Sequence, residues 1–264
     1  MQTRILAIAA ALAVGASGAC HAGAYSNDFS AGVGAASLRE TAVLDSGSVR
    51  LTPNTTSQQG SLVIDDLDPG GVVQSFDVSF TLSTAPAGVS LADGLSLSFG
   101  PPPGVSYGES GSPSGLVVTF DLWDNGESPT PPVIRIVVNG TQVAAQQVAL
   151  NTGGSFLPVT VHYDSSGLDV NFNSGAVSFS NVSTAGFAPV AGLRFTFGAR
   201  TGDGTAEQRI DDVSIVTIAG ALKTTTVPTL TQWGLIFAAA LLAGLGAHAL
   251  RRRRSPGVGP SRWG

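Results

Sequence analysis

The chain has 264 residues, with one cysteine, 34 glycines, 12% charged residues and a formal net charge of −5. The charged fraction is about half of the usual share, and glycine is nearly twice as frequent as usual. A single cysteine excludes a disulfide scaffold and a cysteine-based zinc site, and the 43% hydrophobic content excludes a disordered chain.

The charges are unevenly distributed along the chain. All 18 acidic residues lie between Asp28 and Asp212, and residues 25–226 contain only seven basic residues, so this segment has a net charge of −11. The other six basic residues lie near the two termini. A segment this acidic repels phosphate, and we therefore expect no nucleic-acid partner. The basic termini instead indicate membrane targeting.

The first 24 residues have the pattern of a secretory signal peptide. A short basic start ending at Arg4 precedes an apolar run over residues 5–14, and residues 22–24 form an A-x-A cleavage site before Tyr25. Lipid attachment at Cys20 is an alternative, although the residue three positions earlier is not a large aliphatic one. Cleavage after residue 24 would leave an exported protein without cysteine, whose fold must depend on core burial.

The C-terminal region has the pattern of a membrane anchor. Residues 233–250 are uncharged and mostly apolar, and 18 residues are enough for a transmembrane helix. Four arginines, Arg251–Arg254, follow at once. Because positive charge stays on the cytoplasmic side of a membrane, we predict a cytoplasmic tail over 251–264 and an external segment over 25–226.

A specific motif precedes this span and overlaps the linker that we place at residues 221–232. Six residues resemble the IPTL-type C-terminal sorting signal, with valine in place of the usual first isoleucine: Val227, Pro228, Thr229, Leu230, Trp233 and Gly234. The resemblance implies an exosortase partner, a processing enzyme in the inner membrane of Gram-negative bacteria. It implies an ectodomain in the periplasm before processing near residues 228–229, and transfer afterwards to the cell surface or extracellular matrix. A plain membrane anchor is the alternative.

The segment between the termini, residues 25–220, has the pattern of a single all-β domain. Phe76, Val78 and Phe80 alternate with polar residues, as do Phe195 and Phe197, which is typical of antiparallel sheets with one wet face. Strands are predicted at Ser48–Leu51, Gly60–Ile64, Val72–Leu82, Gly94–Phe99, Leu116–Asp121, Val133–Asn139, Pro158–Tyr163, Leu168–Phe172, Ala176–Phe179, Leu193–Gly198 and Ile210–Ile218.

Turn-forming residues separate these strands. Asn139-Gly140 suits a two-residue type I′ hairpin, residues 164–167 turn the chain between two further strands, and residues 100–113, rich in Pro, Gly and Ser, predict a surface loop. About a dozen strands joined in this way predict a jelly-roll sandwich of two antiparallel sheets.

Four segments resemble, in order, the concanavalin A-like (legume-type) lectins. Residues 92–99 contain an A-D-G motif followed by a strand, and residues 116–126 resemble the family's metal-binding strand and loop. Residues 193–202 and 210–215 resemble its closing strands. The resemblance spans residues 26–218 and implies a concanavalin A-like sandwich that binds carbohydrate.

The resemblance, together with the glycine-rich loop after Phe197, predicts a carbohydrate site of four residues, although solubility of that loop is the alternative explanation for its charges. Asp93, followed by Gly94, corresponds to the family's aspartate that accepts hydrogen bonds from sugar hydroxyls, a role suited to the two oxygens of a carboxylate. Asn125 corresponds to an asparagine that faces the sugar. Arg200, in the loop after the 193–198 strand, is placed to rim the ligand groove, as is Asp203.

The resemblance also implies a calcium site. Asp121, the backbone carbonyl of Trp123 and Asn125 correspond to the family's calcium ligands, and oxygen donors suit this hard cation. Calcium is therefore a candidate cofactor.

The chain departs from the family pattern around this calcium site. Thr119 replaces an acidic ligand of a second, transition-metal site, so that second site is not expected here. Thr130 lies near the position of a further calcium-binding aspartate, and Arg135 lies near that of a histidine. Glu127 and Asp124 are the acids that remain available as substitutes.

Purely structural explanations of these motifs stay open. Asp93-Gly94 suits an ordinary turn before a strand, and residues 121–126 suit a strand end with Trp123 in the core. The acidic residues 65–70 have the composition of a calcium loop, but an acidic solvated turn is the favoured explanation.

Catalysis is not expected from this sequence. Glycoside hydrolases with this sandwich carry closely spaced acids on one strand, whereas Glu109, Glu127 and Glu207 are isolated. His162 fits the exposed face of a strand, and the domain lacks the cysteine for a Cys-His pair. We expect a carbohydrate-binding protein that is not an enzyme, with a structural or adhesion module and a diverged polysaccharide hydrolase as alternatives.

Overall fold

The computed structural model describes residues 22–85, 91–221, 234, 237–245 and 248. Fifteen strands follow one another along the described chain: β1 (Ala24–Asn27), β2 (Ala36–Glu40), β3 (Val43–Asp45), β4 (Ser48–Thr52), β5 (Gln59–Ile64), β6 (Gly71–Ala85), β7 (Gly94–Gly100), β8 (Leu116–Asp121), β9 (Val133–Val138), β10 (Thr141–Gln147), β11 (Leu157–Asp164), β12 (Gly167–Phe172), β13 (Val177–Val182), β14 (Arg194–Arg200) and β15 (Glu207–Ala221). A short 3-10 turn, Asn173–Gly175, lies between β12 and β13.

The strands form two antiparallel sheets. Sheet A has eight strands in the order β13-β12-β11-β6-β15-β4-β3, with β1 also paired to β15. Sheet B has seven strands in the order β10-β9-β8-β7-β14-β5-β2. The predicted all-β sandwich is confirmed, and the predicted strands correspond to β4–β9 and β11–β15 with ends that differ by a few residues. The hairpin at Asn139-Gly140 is also confirmed, since both residues have a positive φ, at 47° and 78°.

The core forms where the apolar faces of the two sheets meet. Phe76, Val78 and Phe80 of β6 are each no more than 3% exposed, as their alternation predicted. The ring of Phe80 lies 5.0 Å from that of Phe197 and 6.2 Å from that of Phe120, both in sheet B, with edge-on geometry. Such aromatic pairs add a favourable electrostatic contribution to apolar burial. Aromatic contacts therefore connect the two sheets across the core.

The loop over residues 100–113 covers part of the outer face of sheet B. Ser96 and Ser98 of β7 are buried although they point away from the core. The Ser96 hydroxyl donates to the Gly108 carbonyl at 2.8 Å, and the Ser112 backbone N–H donates to the Ser98 hydroxyl at 3.0 Å. The predicted surface loop is thus tied to the sheet by serine hydrogen bonds.

Strand β15 pairs with β6 along the full length of both strands. It has 15 residues and pairs with β6 from Glu207 opposite Ala85 to Ala221 opposite Gly71. At about 3.3 Å per residue, this strand is roughly 45 Å long. Its first residues lie beside the end of β14, because the Gln208 side-chain amide donates to the Arg200 carbonyl at 2.8 Å.

Contacts divide the chain into two units, residues 1–222 and 223–264. In the second unit, residues 234, 237–245 and 248 are helical. Within the described part of the chain, no helix is both long and apolar enough to cross a membrane. Most of the predicted signal peptide (1–21), the sorting residues 227–230 and 233, and the tail 251–264 lie outside the described residues.

His162 makes the outer face of sheet A sensitive to pH. Its Nδ1 lies 2.7 Å from Asp77 Oδ1, and its Nε2 lies 3.6 Å from Asp164 Oδ2. The hydrogen bond to Asp77 is the main reason that the pKa of His162 is raised above the ordinary value of 6.5. Its contribution to stability is therefore fully present below pH 6.5 and is lost as the pH rises through the higher folded value. We expect the free energy of unfolding to decline with pH over this window.

Urea unfolding between pH 5.5 and 8.5 measures this decline. The variant His162→Gln should show a flatter dependence, and Asp77→Asn should do the same, since each removes one partner of the pair. An equally steep decline in both variants would assign the pH dependence to other groups.

Candidate functional site

One edge of sheet B brings the predicted site residues together. Gly94 at the start of β7 pairs with Asp121 at the end of β8 and with Arg200 at the end of β14. Arg200 in turn pairs with Gln59 at the start of β5. The loops that precede or follow these strands therefore meet at the same edge, and Asp93 lies among them.

Gly94 is required by the close approach of β7 to β8. Its φ is +146°, and a Cβ atom there would lie 2.4 Å from the Phe120 carbonyl oxygen. Any other residue would strain the backbone and push the two strands apart. Gly94, predicted as part of the carbohydrate site, thus sets the position of Asp93 through the backbone.

The Asp93 carboxylate is buried and held on both oxygens. The Gly202 backbone N–H donates to Oδ1 at 3.1 Å, and Arg200 Nη2 lies 2.8 Å from Oδ2. The Asp93 backbone is fixed as well, since its N–H donates to the Arg200 carbonyl and its carbonyl accepts from the Leu122 N–H. The Ala92–Asp93 peptide bond is cis. The structure therefore brings together Asp93 and Arg200, two of the four predicted carbohydrate-binding residues.

Burial and the neighbouring Arg200 have opposite effects on the pKa of Asp93. Its side chain is only 6% exposed, whereas that of Arg200 is 45% exposed. Burial is the main cause that raises the pKa of Asp93 above its ordinary value, and the Arg200 guanidinium opposes the rise. The arginine therefore forms the solvent-facing side of this ion pair.

A second carboxylate completes a small charged cluster. Arg200 Nε lies 2.9 Å from Glu109 Oε2, so one guanidinium connects Asp93 to Glu109. This hydrogen bond is the main cause that raises the pKa of Arg200. The glutamate comes from the loop over residues 100–113, and sequence reasoning assigned it no binding role. Its contact with Arg200 spans 91 positions of the chain, and no local pattern indicated it.

The loop after β14 is fastened to the rest of the sandwich. The Thr201 hydroxyl donates to the Thr55 carbonyl at 2.6 Å and accepts from the Gln58 backbone N–H at 2.9 Å. The Gly202 carbonyl accepts from the Ser57 N–H at 3.0 Å. These hydrogen bonds hold the Gly202 N–H in place beside Asp93, so that the carboxylate lies in a preformed position.

The predicted calcium ligands lie on the neighbouring loop, and an arginine lies among them. Asp121 Oδ2 is 2.8 Å from Arg135 Nη1, and its Oδ1 accepts from the Trp123 backbone N–H at 3.2 Å. Glu127 Oε1 lies 3.7 Å from Arg135 Nη2. Burial and the adjacent Glu127 carboxyl raise the pKa of Asp121 to about 7, against the opposing effect of Arg135. Asn125 is exposed, and its backbone N–H donates to Glu127.

These residues do not fit a calcium ion. Both oxygens of Asp121 already have donors, and the Arg135 guanidinium brings a positive charge of its own. Across the described residues, no group of three or more His, Cys, Asp and Glu side chains is arranged to hold a metal ion. Thr130, which lies near the position of a calcium-binding aspartate in the family, has no carboxylate, and its backbone carbonyl accepts from the Gln147 amide.

The remaining candidates are Trp123 and the acidic loop over residues 65–70. Trp123 is half-buried and does not belong to the main core. In the acidic loop over residues 65–70, Asp66 pairs with Arg194 at 2.8 Å, and the buried Asp68 accepts from the Thr217 hydroxyl at 2.5 Å. That loop is therefore a turn tied to the sandwich by its acids.

A cavity of about 450 Å³ adjoins the charged cluster on the outer face of sheet B. Thr119, Asp121 and Arg135 line it on the sheet side, and Glu109 and Glu127 line it from the loops. Because Glu109 also contacts Arg200, the cavity and the Asp93 cluster share one wall. The buried Asp93, the half-buried Asp121 and the two arginines Arg135 and Arg200 thus lie around this cavity and the adjoining cluster.

The two-sheet sandwich with an Asp93 cluster at its loop edge defines a lectin-like protein. The sequence profile of the legume-like lectin family matches residues 30–220, and the chain belongs to this family. Residues 225–254 match the IPTL-CTERM motif, as predicted. No curated protein sequence matches the chain.

Solved lectin structures share the fold at low sequence identity. The lectin from Bauhinia forficata in complex with GalNAc has 20% identity and a TM-score of 0.62, covering 76% of this chain and 100% of that one. The basic winged bean lectin with Tn-antigen has 19% identity and a TM-score of 0.62, covering 76% and 99%. The VIP36 exoplasmic/lumenal domain, in a form bound to Ca²⁺ and Man3GlcNAc, has 18% identity and a TM-score of 0.57, covering 76% and 90%.

Proposed function

We propose that this protein is an exported lectin that binds carbohydrate at the Asp93 cluster. The observation that carries the proposal is the buried Asp93 carboxylate, which the Gly202 N–H and Arg200 hold at the loop edge of sheet B. Sugar hydroxyls donate to carboxylates and accept from guanidinium groups. The Asp93–Arg200 pair places one group of each kind side by side. The family and the complexes of its structural neighbours with GalNAc and Man3GlcNAc support a saccharide as the ligand.

Trp123 and Asn125 extend the proposed site. Leu122 lies opposite Asp93, since its N–H donates to the Asp93 carbonyl at 2.8 Å, and Trp123 is the next residue. A half-buried aromatic ring on the loop that follows suits the apolar face of a sugar. The exposed Asn125 amide offers a donor and an acceptor on the same loop.

A glycan array tests this proposal. The protein should retain at least one class of glycan, measured once with calcium and once with EDTA. Binding should weaken as the pH falls, at a higher pH than for an ordinary aspartate, because burial raises the pKa of Asp93. Absence of binding to every glycan in both buffers would contradict the lectin proposal.

One observation favours a second function, a structural or adhesion module without sugar binding. Both oxygens of Asp93 already have partners within the protein, and its side chain is only 6% exposed. In that case the Asp93–Arg200 pair would close the loop edge instead of binding a ligand. Glycan binding that depends on Asp93 distinguishes the two functions.

The carboxyl groups favour a binding protein over an enzyme. Asp121 and Glu127 both contact the Arg135 guanidinium, at 2.8 Å and 3.7 Å, whereas the two acids of a retaining glycosidase lie about 5–5.5 Å apart with the sugar between them. Glu109 is occupied by Arg200. Release of reducing sugar from a polysaccharide, lost when one of these acids is replaced, would refute this part of the proposal.

The C-terminal motif supports exosortase processing after export. We expect mature protein from the cell surface to end near residues 228–229, without the arginines at 251–254, because the motif at 225–254 is the part that a sorting enzyme recognises. Mass spectrometry of the C-terminal peptide measures this end. Surface protein that still carries Arg251–Arg254 would instead indicate a plain membrane anchor with its charged tail retained.

A further inference from the structure

Arg135 lies beside the loop that resembles the calcium-binding loop of the family. It belongs to β9 and is only 6% exposed, opposite Thr119 of β8. The loop over residues 122–132 connects these two strands and carries Asn125. Whatever orders this loop therefore also positions part of the proposed ligand site.

The guanidinium of Arg135 contacts four acceptors around that loop. Nη1 lies 2.8 Å from Asp121 Oδ2, Nη2 donates to the Pro129 carbonyl at 2.8 Å, and Nε donates to Gln142 Oε1 at 2.8 Å. Nη2 is also 3.7 Å from Glu127 Oε1. A carboxylate at the start of the loop, a carboxylate within it and a backbone carbonyl near its end thus surround one permanent positive charge.

We propose that Arg135 is the built-in cation of this loop and replaces calcium in ordering residues 122–132. A metal ion would need the oxygens of Asp121 that Arg135 and the Trp123 N–H now occupy. An ion placed next to a buried guanidinium would also meet its repulsion in a region of low dielectric. Order in the loop is therefore independent of calcium. Arg135 acts here as a positioning residue, whether or not the Asp93 cluster binds sugar.

Calcium titration of the intact protein tests the proposal directly. We expect no saturable heat on addition of CaCl2 up to millimolar concentration, no terbium luminescence sensitised by Trp123, and the same thermal midpoint in EDTA and in calcium. Saturable calcium binding accompanied by a rise in the thermal midpoint would overturn the proposal. These measurements contain no sugar, so their outcome is separate from that of the glycan array.

Amide hydrogen exchange tests the positioning role. Arg135→Met keeps the length of the side chain and removes its charge, so residues 122–132 should exchange at least about tenfold faster, and calcium should not restore protection. Arg135→Lys keeps the charge and should restore part of that protection, because a lysine cannot reach all four acceptors. A matched control is Arg209→Met, which removes an arginine paired with Asp45 and Glu207 in sheet A. Unchanged exchange in 122–132 for Arg135→Met would overturn the proposal.

A second observation concerns the N-terminus and is independent of Arg135. Gly23 precedes β1 and is buried, with its N–H donating to the Thr217 hydroxyl at 3.1 Å and its carbonyl accepting from the Thr217 N–H at 2.9 Å. A Cβ at this position would lie 2.5 Å from the Leu67 carbonyl oxygen. Ala24 pairs with Val216 in the same ladder. Residues 23 and 24 are therefore part of sheet A.

We propose that the signal peptide is cleaved after Ala22, two residues before the site that the A-x-A pattern predicts. Cysteine at position 20 and alanine at position 22 supply the small residues that this cleavage requires. The exposed Ala22 is the last residue before the buried Gly23. A cut after residue 24 would remove both hydrogen bonds to Thr217, whose side chain is fully buried.

The new terminal nitrogen would contact a hydroxyl that is itself bonded to a carboxylate. The α-ammonium of Gly23 would lie 3.1 Å from the Thr217 hydroxyl oxygen, which is itself 2.5 Å from Asp68 Oδ2. A positive charge at this nitrogen is therefore compatible with its surroundings.

N-terminal sequencing of the exported protein tests this inference. The expected first residue is Gly23, and a mature chain that begins at Tyr25, Ala24 or a lipid-modified Cys20 would overturn it. Two chains that begin at Gly23 and at Tyr25, each released from a removable tag, provide a second measurement. The shorter chain should have the lower thermal midpoint, and equal midpoints would contradict the structural argument.

Discussion

Replacing Asp93 with asparagine is expected to abolish detectable glycan binding while leaving the sandwich folded. The amide keeps the size of the side chain and still accepts from Gly202, but it presents an NH2 group to Arg200 and to any sugar hydroxyl that donated to the carboxylate. Hydrogen bonds to charged groups contribute about 1.5–3 kcal/mol each, so the loss of two corresponds to an affinity reduced about 100-fold or more.

The matched control for Asp93 is an ion pair at the other end of β14. Asp66 pairs with Arg194 at the start of β14, just as Asp93 pairs with Arg200 at its end, and both pairs are 2.8 Å apart. Asp66→Asn should leave glycan affinity unchanged. Affinity that survives in Asp93→Asn, with both variants folded by circular dichroism, would favour the structural module over the lectin.

Replacing Phe197 with alanine is expected to cost about 3–5 kcal/mol of unfolding free energy. The ring is fully buried and packs edge-on against Phe80 of sheet A at 5.0 Å, so its removal opens a cavity between the sheets. Domains of this size are stable by only about 5–15 kcal/mol, and the loss is therefore a large share of the total. With no cysteine in residues 22–85 or 91–221, no disulfide in the described domain offsets it.

Urea unfolding measures this effect, with Phe156→Ala as the control. Phe156 is 40% exposed, and its replacement should change stability by no more than about 0.5 kcal/mol. A loss of under about 1 kcal/mol for Phe197→Ala would mean that the core repacks around the missing ring.

The alternation of residues made most of the fold predictable. Strands such as β6 bury every second residue on one side, and this pattern is visible in the sequence because burial and exposure differ in chemistry. The strands β1, β2 and β3 were not predicted. They are short, and β3 has no fully buried residue, so their sequences lack a clear alternation of apolar and polar residues. Their strand conformation depends on pairing with the neighbouring strand.

Sequence motifs indicated the residues of the candidate site but not the contacts among them. The A-D-G motif indicated Asp93, and the loop after β14 indicated Arg200, which the structure places 2.8 Å apart. Glu109 and the Gly202 N–H join them across long stretches of chain, and no local spacing encodes such contacts. Sequence comparison marked Arg135 as a departure from the family, but only the structure shows that it pairs with Asp121.

The course of β15 determines where the chain leaves the sandwich. This strand begins beside Arg200 and ends at Ala221 roughly 45 Å away, and the chain continues from there into the second unit. The chain therefore leaves the sandwich from the Ala221 end of β15, at the opposite end of that strand from Arg200. Proteolysis beyond residue 222 should release a domain that keeps every strand of both sheets, because β15 is the last of them.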